Sequence, residues 1–271
     1  MQLFVPKNLE IFLIEFEEYK NSGHQYFRGQ ADAAWSITPG LARNECNEIY
    51  HQIIKIEEKL YSKFKKKVID ENKLSLIPLV SGSYHPTWQW VMSAQHYGLP
   101  TRLLDFSHDK DTALEFAVGD LQHLNSDGAL FIHNKVKSSK EEEENISALL
   151  RNNFLPINKT FFFQAPRYGK FENNEFLLSE KRKTIQGSKF IYRATNKITE
   201  CLSLDNDHSK WLTKIHIAKE LKPQIIEYLI ANGRFAFDLY TGKNAIDYYA
   251  AILKTEFLNI NSTNIDSLFS P

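Results

Sequence analysis

The chain has 271 residues, of which 42% are hydrophobic, 13% aromatic and 24% charged, a mixture that excludes a wholly disordered chain. Equal numbers of basic and acidic residues, 33 of each, leave no overall charge that would favour nucleic acid. Two cysteines, Cys46 and Cys201, are too few for a disulfide framework or a cysteine zinc site, which indicates a reducing, cytoplasmic location. The glutamates among the first 20 residues predict neither a signal peptide nor a membrane-spanning helix.

The first third of the chain contains three patterns typical of helices and one typical of a strand. Apolar residues recur at helical spacing from Asn8 to Lys20 and from Glu48 to Val68, which predicts two amphipathic helices. The aromatic run from His24 to Gln30 predicts a strand between them. A proline before Thr87 and a glycine after Tyr97 predict a third helix over Thr87 to Tyr97.

The middle of the chain alternates between extended and helical patterns. Thr101 to Ser107 and Ala129 to His133 predict strands. Between them, Thr112 followed by Glu115 fits a capping box that opens a helix through Leu121. Four consecutive glutamates within Lys140 to Asn145 predict either a mobile surface loop or a frayed helix start.

The last part of the chain begins with strands and then turns helical. Aromatic and β-branched residues predict strands at Thr160 to Gln164, Ile185 to Tyr192 and Lys214 to Ala218. Helical stripes follow at Ile225 to Ile230 and Ala245 to Phe257.

These elements together predict the α+β class. We expect one domain over residues 1–271, with its core at about 20–250 and a small mixed or antiparallel sheet flanked by helices. The C-terminal third is expected to be helical, with the helices between about 219 and 258 packed on the rest.

The densest group of unusual residues is Tyr26-Phe27-Arg28-Gly29-Gln30. In a strand, Tyr26, Arg28 and Gln30 share one face and Phe27 lies on the other. The planar guanidinium of Arg28 suits a phosphate or carboxylate, and Gly29 would let a ligand approach the backbone. The alternative is an arginine that pairs with an internal carboxylate or carbonyl.

A second group lies between Trp88 and Ser107. On the predicted helix Gln95 shares a face with apolar residues, so it is expected to be a buried amide that needs partners. In the extended segment, Asp105 and Ser107 point one way and Arg102 the other unless the chain bends.

Histidines and lysines offer weaker candidates. His96 is expected to act either as an acid or base or as a structural hydrogen-bonding group. The remaining histidines lack metal-site spacing, so we expect no metal. The basic stretch Lys63 to Lys67 is explained by a solvated helix face, so a nucleic-acid partner is not expected.

Several blocks of the chain look like the FRG domain family, named for its Phe-Arg-Gly motif. They are Phe27–Gln30, Trp35–Arg43, Ala94–Asp105, Asp111–Ala117 and Arg182–Phe190. The family is mostly bacterial and phage-associated, so the resemblance implies a protein of such a system. It implies no settled biochemical activity.

The order of these elements is also similar to the layout of ADP-ribosyltransferases. In that superfamily an early Arg or His binds NAD, a serine-containing strand supports the nicotinamide site, and a later Glu acts at the ribose. The similarity implies that Arg28 binds NAD as a substrate, and that Gln186 or the upstream Glu180 acts at the ribose. A neutral Gln186 cannot supply the negative charge that a Glu supplies.

The sequence therefore supports two hypotheses. In the first, an NAD-dependent ADP-ribosyl transfer or NAD cleavage acts on a small-molecule nucleotide or a protein acceptor. Its catalytic residues are Arg28, Gln186 and Glu180, and the ligand-binding residues are Tyr26, Gln30, Gln95, His96, Arg102, Asp105 and Ser107. In the second, a noncatalytic module binds a ligand or partner through the same polar residues.

Overall fold

The computed structural model describes twelve parts of the chain. These are residues 1–20, 25–43, 57, 61–66, 68–70, 86–96, 101–134, 140–151, 160–164, 188–193, 202 and 208–235. The strands are β1 (Gln2–Phe4), β2 (Gln25–Gln30), β3 (Leu103–Ser107), β4 (Gly128–Asn134), β5 (Phe161–Gln164), β6 (Ser188–Tyr192) and β7 (Leu212–Ile217). The helices with described bounds are α1 (Leu9–Glu18), α2 (Gly40–Arg43), α3 (Pro86–His96), α4 (Lys110–Val118), α5 (Lys140–Arg151) and α6 (Lys222–Ala231).

All of these strands belong to one sheet, in the order β1-β7-β4-β2-β3-β6-β5. β1 pairs with β7 in parallel, and the other described neighbours are antiparallel. The sheet is therefore mixed, and with its flanking helices it confirms the predicted α+β class. None of the described helices is long and apolar enough to span a membrane.

Helices cover one face of the sheet in two groups. Phe27, Leu130 and Ile215 share that face by strand alternation and pack in one cluster with residues of α1, α4 and α6. A second cluster on the same face joins residues of α3 and α5 to Leu103 and Tyr192. The opposite face buries a third cluster, which includes Tyr26, Phe131, Leu104, Ile37 from the loop after β2, and Leu202.

Helix α4 packs against the sheet at two glycines. A Cβ atom on Gly29 would lie 2.6 Å from Ala117 N and closer still to Ala113 O. A Cβ on Gly128 would lie 2.5 Å from Ala117 O. Gly29 therefore admits a helix rather than the ligand that the sequence suggested, because the helix backbone occupies the space beside it.

The predicted helices α1, α3 and α6 are confirmed, with small shifts of their ends. Asn8 caps α1 by accepting a hydrogen bond from Ile11 N at 2.9 Å. Helix α6 covers the predicted stripe at 225–230 and is followed by Gly233 with φ 63°. Of the predicted helix at 48–68, residues 57, 61–66 and 68 are described and helical. The predicted helix at 245–257 lies outside the described residues.

The predicted start of α4 is wrong. Asp109 is the N-cap, because its carboxylate accepts hydrogen bonds from Asp111 N at 3.0 Å and from the Thr112 hydroxyl at 3.0 Å. Thr112 therefore lies inside the helix, and Glu115 is fully buried rather than part of a capping box. The helix therefore begins about one turn earlier, where Asp109 binds one of the N–H groups that a helix start leaves unpaired.

Of the two alternatives predicted for Lys140 to Asn145, the structure shows the helix start, because this segment begins α5. Ile146 and Leu150 lie four residues apart and are both buried in the cluster formed with α3. Burial of this apolar pair stabilises a helix that the run of glutamates alone would disfavour.

Candidate functional site

The sheet opens between its two central strands, β2 and β3. Every residue of β2 pairs with β4, and every residue of β3 pairs with β6. By contrast, β2 and β3 pair only at Phe27 and Ser107 within these described strands. We call the opening that follows this single pair, towards Gln30 and Leu103, the central cleft.

Arg28 extends into the central cleft. It is half-buried, and its Nη1 donates a hydrogen bond of 2.7 Å to the backbone carbonyl of Asp105. A side chain of β2 thus contacts the backbone of β3 beyond the point where the strands are paired. The hydrogen bond orients the planar guanidinium along the opening.

Asp105 is exposed, whereas the other residues of β3 are buried. β3 lies in the interior of the sheet, between β2 and β6. By strand alternation its side chain lies on the same face of the sheet as Phe27 and Ser107, whereas Arg28 lies on the opposite face. Asp105 pairs in register with Phe190 of β6.

Of the other predicted ligand-binding residues, Gln30 borders the cleft, Ser107 belongs to the pair that closes it, and Tyr26 lies before that pair; all three are buried. Ser107 is buried, and its Oγ accepts a hydrogen bond of 2.9 Å from Asp109 N, which fixes the turn into α4. Tyr26 is buried and contacts the edge of the His108 ring, with centroids 5.3 Å apart. Gln30 Nε2 donates to a backbone carbonyl at 3.3 Å, while its buried Oε1 accepts no hydrogen bond from the described residues.

Arg102 lies in a different environment. It is 2% exposed, and its Nε donates to Oε2 of Glu57 at 2.7 Å and its Nη1 to the Tyr192 hydroxyl at 2.7 Å. Nη2 also contacts the same Glu57 oxygen. Burial alone would lower the pKa of Arg102, but the charge and hydrogen bonds of Glu57 raise it above its usual value. The alternative predicted for Arg28, an internal carbonyl or carboxylate as partner, is therefore met at Arg28 by the Asp105 carbonyl, while an internal carboxylate is the partner of Arg102.

Gln95 has a local structural partner. Its Oε1 accepts a hydrogen bond from the Thr101 hydroxyl, whose oxygen accepts another from Leu103 N at 3.1 Å. These contacts connect the end of α3 to the start of β3. Gln95 and Arg102 therefore hold the segment before β3, while Arg28, Asp105 and Ser107 lie at the cleft.

Three other predicted site residues fall where the structure gives no side-chain description. Gln186 and Glu180 lie outside the described residues, and the side chain of His96, the last residue of α3, is not described. Among the described residues, no group of three or more His, Cys, Asp or Glu side chains is arranged to hold a metal ion.

Sequence reasoning missed Lys222, the first residue of α6. Lys222 is fully buried, and its Nζ donates to the backbone carbonyls of Ala31 at 2.7 Å and His123 at 2.6 Å. Burial lowers the pKa of Lys222 to about 8, although Asp120, Asp32 and Asp127 oppose this shift. Its position at a helix start, before a proline, carried no signal of burial in the sequence.

A second missed feature is a histidine pair beside Tyr26. His133 pairs in register with Tyr26 across β2 and β4, and its Nε2 lies 3.3 Å from Nδ1 of His208. His133 is 2% exposed. The two histidines are 75 residues apart in the chain, so no local motif indicated their contact.

The fold and the cleft define an α+β protein whose mixed sheet opens between its central strands. Comparison with known families adds one match: residues 23–126 match the family model of the FRG domain. The match covers β2, α2, α3, β3 and α4, and it supports the resemblance seen in the Phe27–Gln30 and Ala94–Asp105 blocks. No curated protein and no solved structure matches the chain.

Proposed function

We propose that the central cleft binds a nucleotide-type ligand, with NAD as the leading candidate. The observation that carries the proposal is the divergence of β2 from β3 with the Arg28 guanidinium in the opening. Arginine binds phosphate and carboxylate oxygens through paired, charge-assisted hydrogen bonds. Because Asp105 O fixes one N–H of Arg28, the orientation of the guanidinium is set before a ligand binds.

The order of the strands supports NAD among nucleotides. The ADP-ribosyltransferase layout needs an arginine strand, a serine strand and a later strand close together, and here β2, β3 and β6 are consecutive in the sheet. Phe27, Ser107 and Ser188 lie in one cross-strand row. Gln186, which the resemblance assigns to the ribose, precedes Ser188 by two positions in the chain and lies outside the described residues. This remains a likeness of layout and supports the proposal without a matching solved structure.

The noncatalytic alternative also has an observation in its favour. Gln95, Arg102 and Ser107 all make internal hydrogen bonds that hold the protein's own backbone or side chains. Under this alternative the same cleft binds a nucleotide or an anionic group of a partner without cleaving it. Both versions place the ligand at Arg28, so one binding experiment tests them together.

The experiment is a calorimetric titration with NAD and with ADP-ribose of the wild type, Arg28→Lys and the matched control Lys66→Ala. Lys66 is exposed and lies in the helical stretch 61–66, remote in sequence from the cleft strands. An ammonium cannot reproduce the paired contacts of a guanidinium, so we expect Arg28→Lys to weaken binding by about 10- to 100-fold. Lys66→Ala should bind as the wild type does.

Circular dichroism and thermal unfolding would first establish that all three proteins are folded. Equal affinity of the wild type and Arg28→Lys would contradict the assignment of the site to Arg28. Failure of the folded wild type to bind either compound would reject the nucleotide proposal.

A further inference from the structure

Gln30, the last residue of β2, borders the central cleft on the same face of the sheet as Arg28. Side chains two positions apart in a strand share a face, and a strand rises about 3.3 Å per residue. Arg28 and Gln30 are therefore about 7 Å apart along β2, a separation that a single nucleotide can span. Any role of Gln30 towards a ligand held at Arg28 rests on the proposed function.

The side-chain amide of Gln30 is hydrogen-bonded at one end and not at the other. Its Nε2 donates to the backbone carbonyl of Ser36 at 3.3 Å. Because a carbonyl can only accept, this contact fixes which branch of the amide is the nitrogen and which is Oε1. Oε1 is buried and accepts no hydrogen bond from the described residues. The amide therefore has a defined orientation and an unused acceptor.

A buried acceptor without a donor needs an explanation, because it loses its hydrogen bond to water and gains none from the protein. Gln95 shows the usual arrangement, since its Oε1 accepts a hydrogen bond from the Thr101 hydroxyl. An apolar side chain of similar size at position 30 would avoid the cost. The contacts of the fold thus account for Gln95 and leave the acceptor of Gln30 unexplained.

Gln30 is 3% exposed, but it lies next to the protein surface. Its partner Ser36 is exposed, as are the two preceding residues of the loop after β2. The hydrogen bond of 3.3 Å to Ser36 is longer than an ordinary N–H···O bond. A displacement of Ser36 therefore breaks one weak bond and opens a path to the amide from the surface.

We propose that Gln30 is a specificity-determining residue of the central cleft, whose Oε1 accepts a hydrogen bond from an NH₂ group of the nucleotide held at Arg28. NAD carries two such groups, the carboxamide of nicotinamide and the exocyclic amine of adenine. A neutral amide oxygen accepts from either of them in the same way. A nucleotide that lacks the donor leaves Oε1 buried and unpaired, so it binds less tightly.

The test is a calorimetric comparison of NAD, nicotinic acid adenine dinucleotide and nicotinamide hypoxanthine dinucleotide. The first analogue replaces the carboxamide by a carboxylate, and the second replaces the adenine amine by an oxygen that cannot donate. We expect the wild type to bind one of these analogues about tenfold or more weakly than NAD. The weaker analogue identifies which NH₂ group Gln30 binds.

The same three titrations are made with Gln30→Met and with the matched control Gln224→Met. We expect Gln30→Met to bind NAD about tenfold or more weakly than the wild type and to lose most of the preference for NAD over the analogue. Gln224 is exposed on α6, and its Nε2 also donates to a backbone carbonyl, at 3.1 Å. Gln224→Met should therefore keep the affinity and the preference of the wild type.

Urea denaturation separates a role in binding from a role in the fold. Methionine is close to glutamine in size, and Oε1 has no partner to lose, so the midpoint for Gln30→Met should equal or exceed that of the wild type. A lower midpoint together with an unchanged preference for NAD would assign Gln30 to the fold and reject the proposal.

The remaining outcomes distinguish this inference from the proposed function. If the wild type binds NAD through Arg28 but binds all three dinucleotides equally, the role of Gln30 is rejected and nucleotide binding stands. The same conclusion follows if Gln30→Met keeps the wild-type affinity for NAD. If the folded wild type binds none of the three, both proposals fail.

Discussion

Arg28 and Arg102 belong to two blocks of the same family resemblance, but the structure gives them opposite surroundings. Arg102 is 2% exposed and forms a buried ion pair with Glu57. Arg28 is half-buried and donates to a backbone carbonyl at the edge of an opening in the sheet. A buried guanidinium bound to a carboxylate and a tyrosine hydroxyl stabilises the fold, whereas a partly exposed one oriented by a carbonyl suits ligand binding.

The largest expected effect comes from separating Arg102 from its carboxylate. Arg102→Met would leave the Glu57 carboxylate buried without its counter-ion, so we expect the free energy of unfolding to fall by about 3–5 kcal/mol. Arg28→Met should cost about 1 kcal/mol or less, because a partly exposed hydrogen bond to a carbonyl contributes little net stability. Urea denaturation of both variants measures the difference.

The double variant Arg102→Met with Glu57→Gln provides the control. Replacing the carboxylate by a neutral amide removes the unpaired charge, and part of the lost stability should return. Equal destabilisation by Arg28→Met and Arg102→Met would overturn the contrast between the two arginines.

Lys222 sharpens the comparison because it is a buried cation that donates hydrogen bonds to two carbonyls and forms no salt bridge with a carboxylate of the described residues. Its pKa in the folded protein is about 8, below the ordinary value of 10.5. Between these two pH values the unfolded chain binds a proton that the folded chain has released, so stability rises with pH. We expect Lys222 to raise the free energy of unfolding by about 3 kcal/mol between pH 8 and pH 10.5. Below pH 8 this gain in stability is absent.

The measurement is the free energy of unfolding against pH for the wild type, Lys222→Met and Lys66→Met. Subtracting the profile of Lys222→Met from that of the wild type isolates the contribution of Lys222 from tyrosines and other lysines. The exposed Lys66 serves as the matched control and should leave the profile unchanged. If Lys222→Met shows the same rise of stability with pH as the wild type, the buried amine of Lys222 is not the source of that rise.

The last prediction, with the smallest expected loss of stability among the buried positions, concerns Gly29, which follows Arg28 in the chain. Gly29→Ala places a methyl group against the backbone of α4 at Ala113 and Ala117, so the helix must move, and we expect a loss of about 2 kcal/mol. Gly233→Ala is the matched control, since nothing lies within 4 Å of its Cβ and its cost arises from the positive φ of 63° alone. Thermal unfolding of the two variants distinguishes a packing clash from backbone strain. A smaller loss of stability for Gly29→Ala than for Gly233→Ala would contradict the tight contact between Gly29 and α4.

Much of the fold was predictable because its signals are local. The apolar spacing after Asn8 and the proline before Thr87 mark helices through neighbours within a few residues. The choice between a loop and a helix start at Lys140 to Asn145 stayed open because the burial of Ile146 and Leu150 depends on elements distant in the chain. The cap of α4 was misplaced because both Asp109 and Thr112 are suitable cap residues, and the sequence alone does not rank them.

The candidate site was predictable only in part. Arg28 was found because the strand period and the family blocks both indicate it. The partner of Arg102 was not, since Glu57 lies 45 residues away. The opening of the sheet has no sequence pattern of its own, because it depends on how β2 and β3 diverge after a single pair. The structure also separates the Phe-Arg-Gly motif into two packing residues, Phe27 and Gly29, and one residue that extends into the cleft.

The single pair of Phe27 with Ser107 has a mechanical consequence. Within the described strands it is the one backbone ladder contact between the part of the sheet built from β1, β7, β4 and β2 and the part built from β3, β6 and β5. Few backbone hydrogen bonds therefore connect the two parts along this line, and they are joined instead by the buried cluster of Tyr26, Phe131 and Leu104 and by the hydrogen bond from Arg28 to the Asp105 carbonyl. A bound ligand would bridge the two parts and stiffen the molecule at its centre.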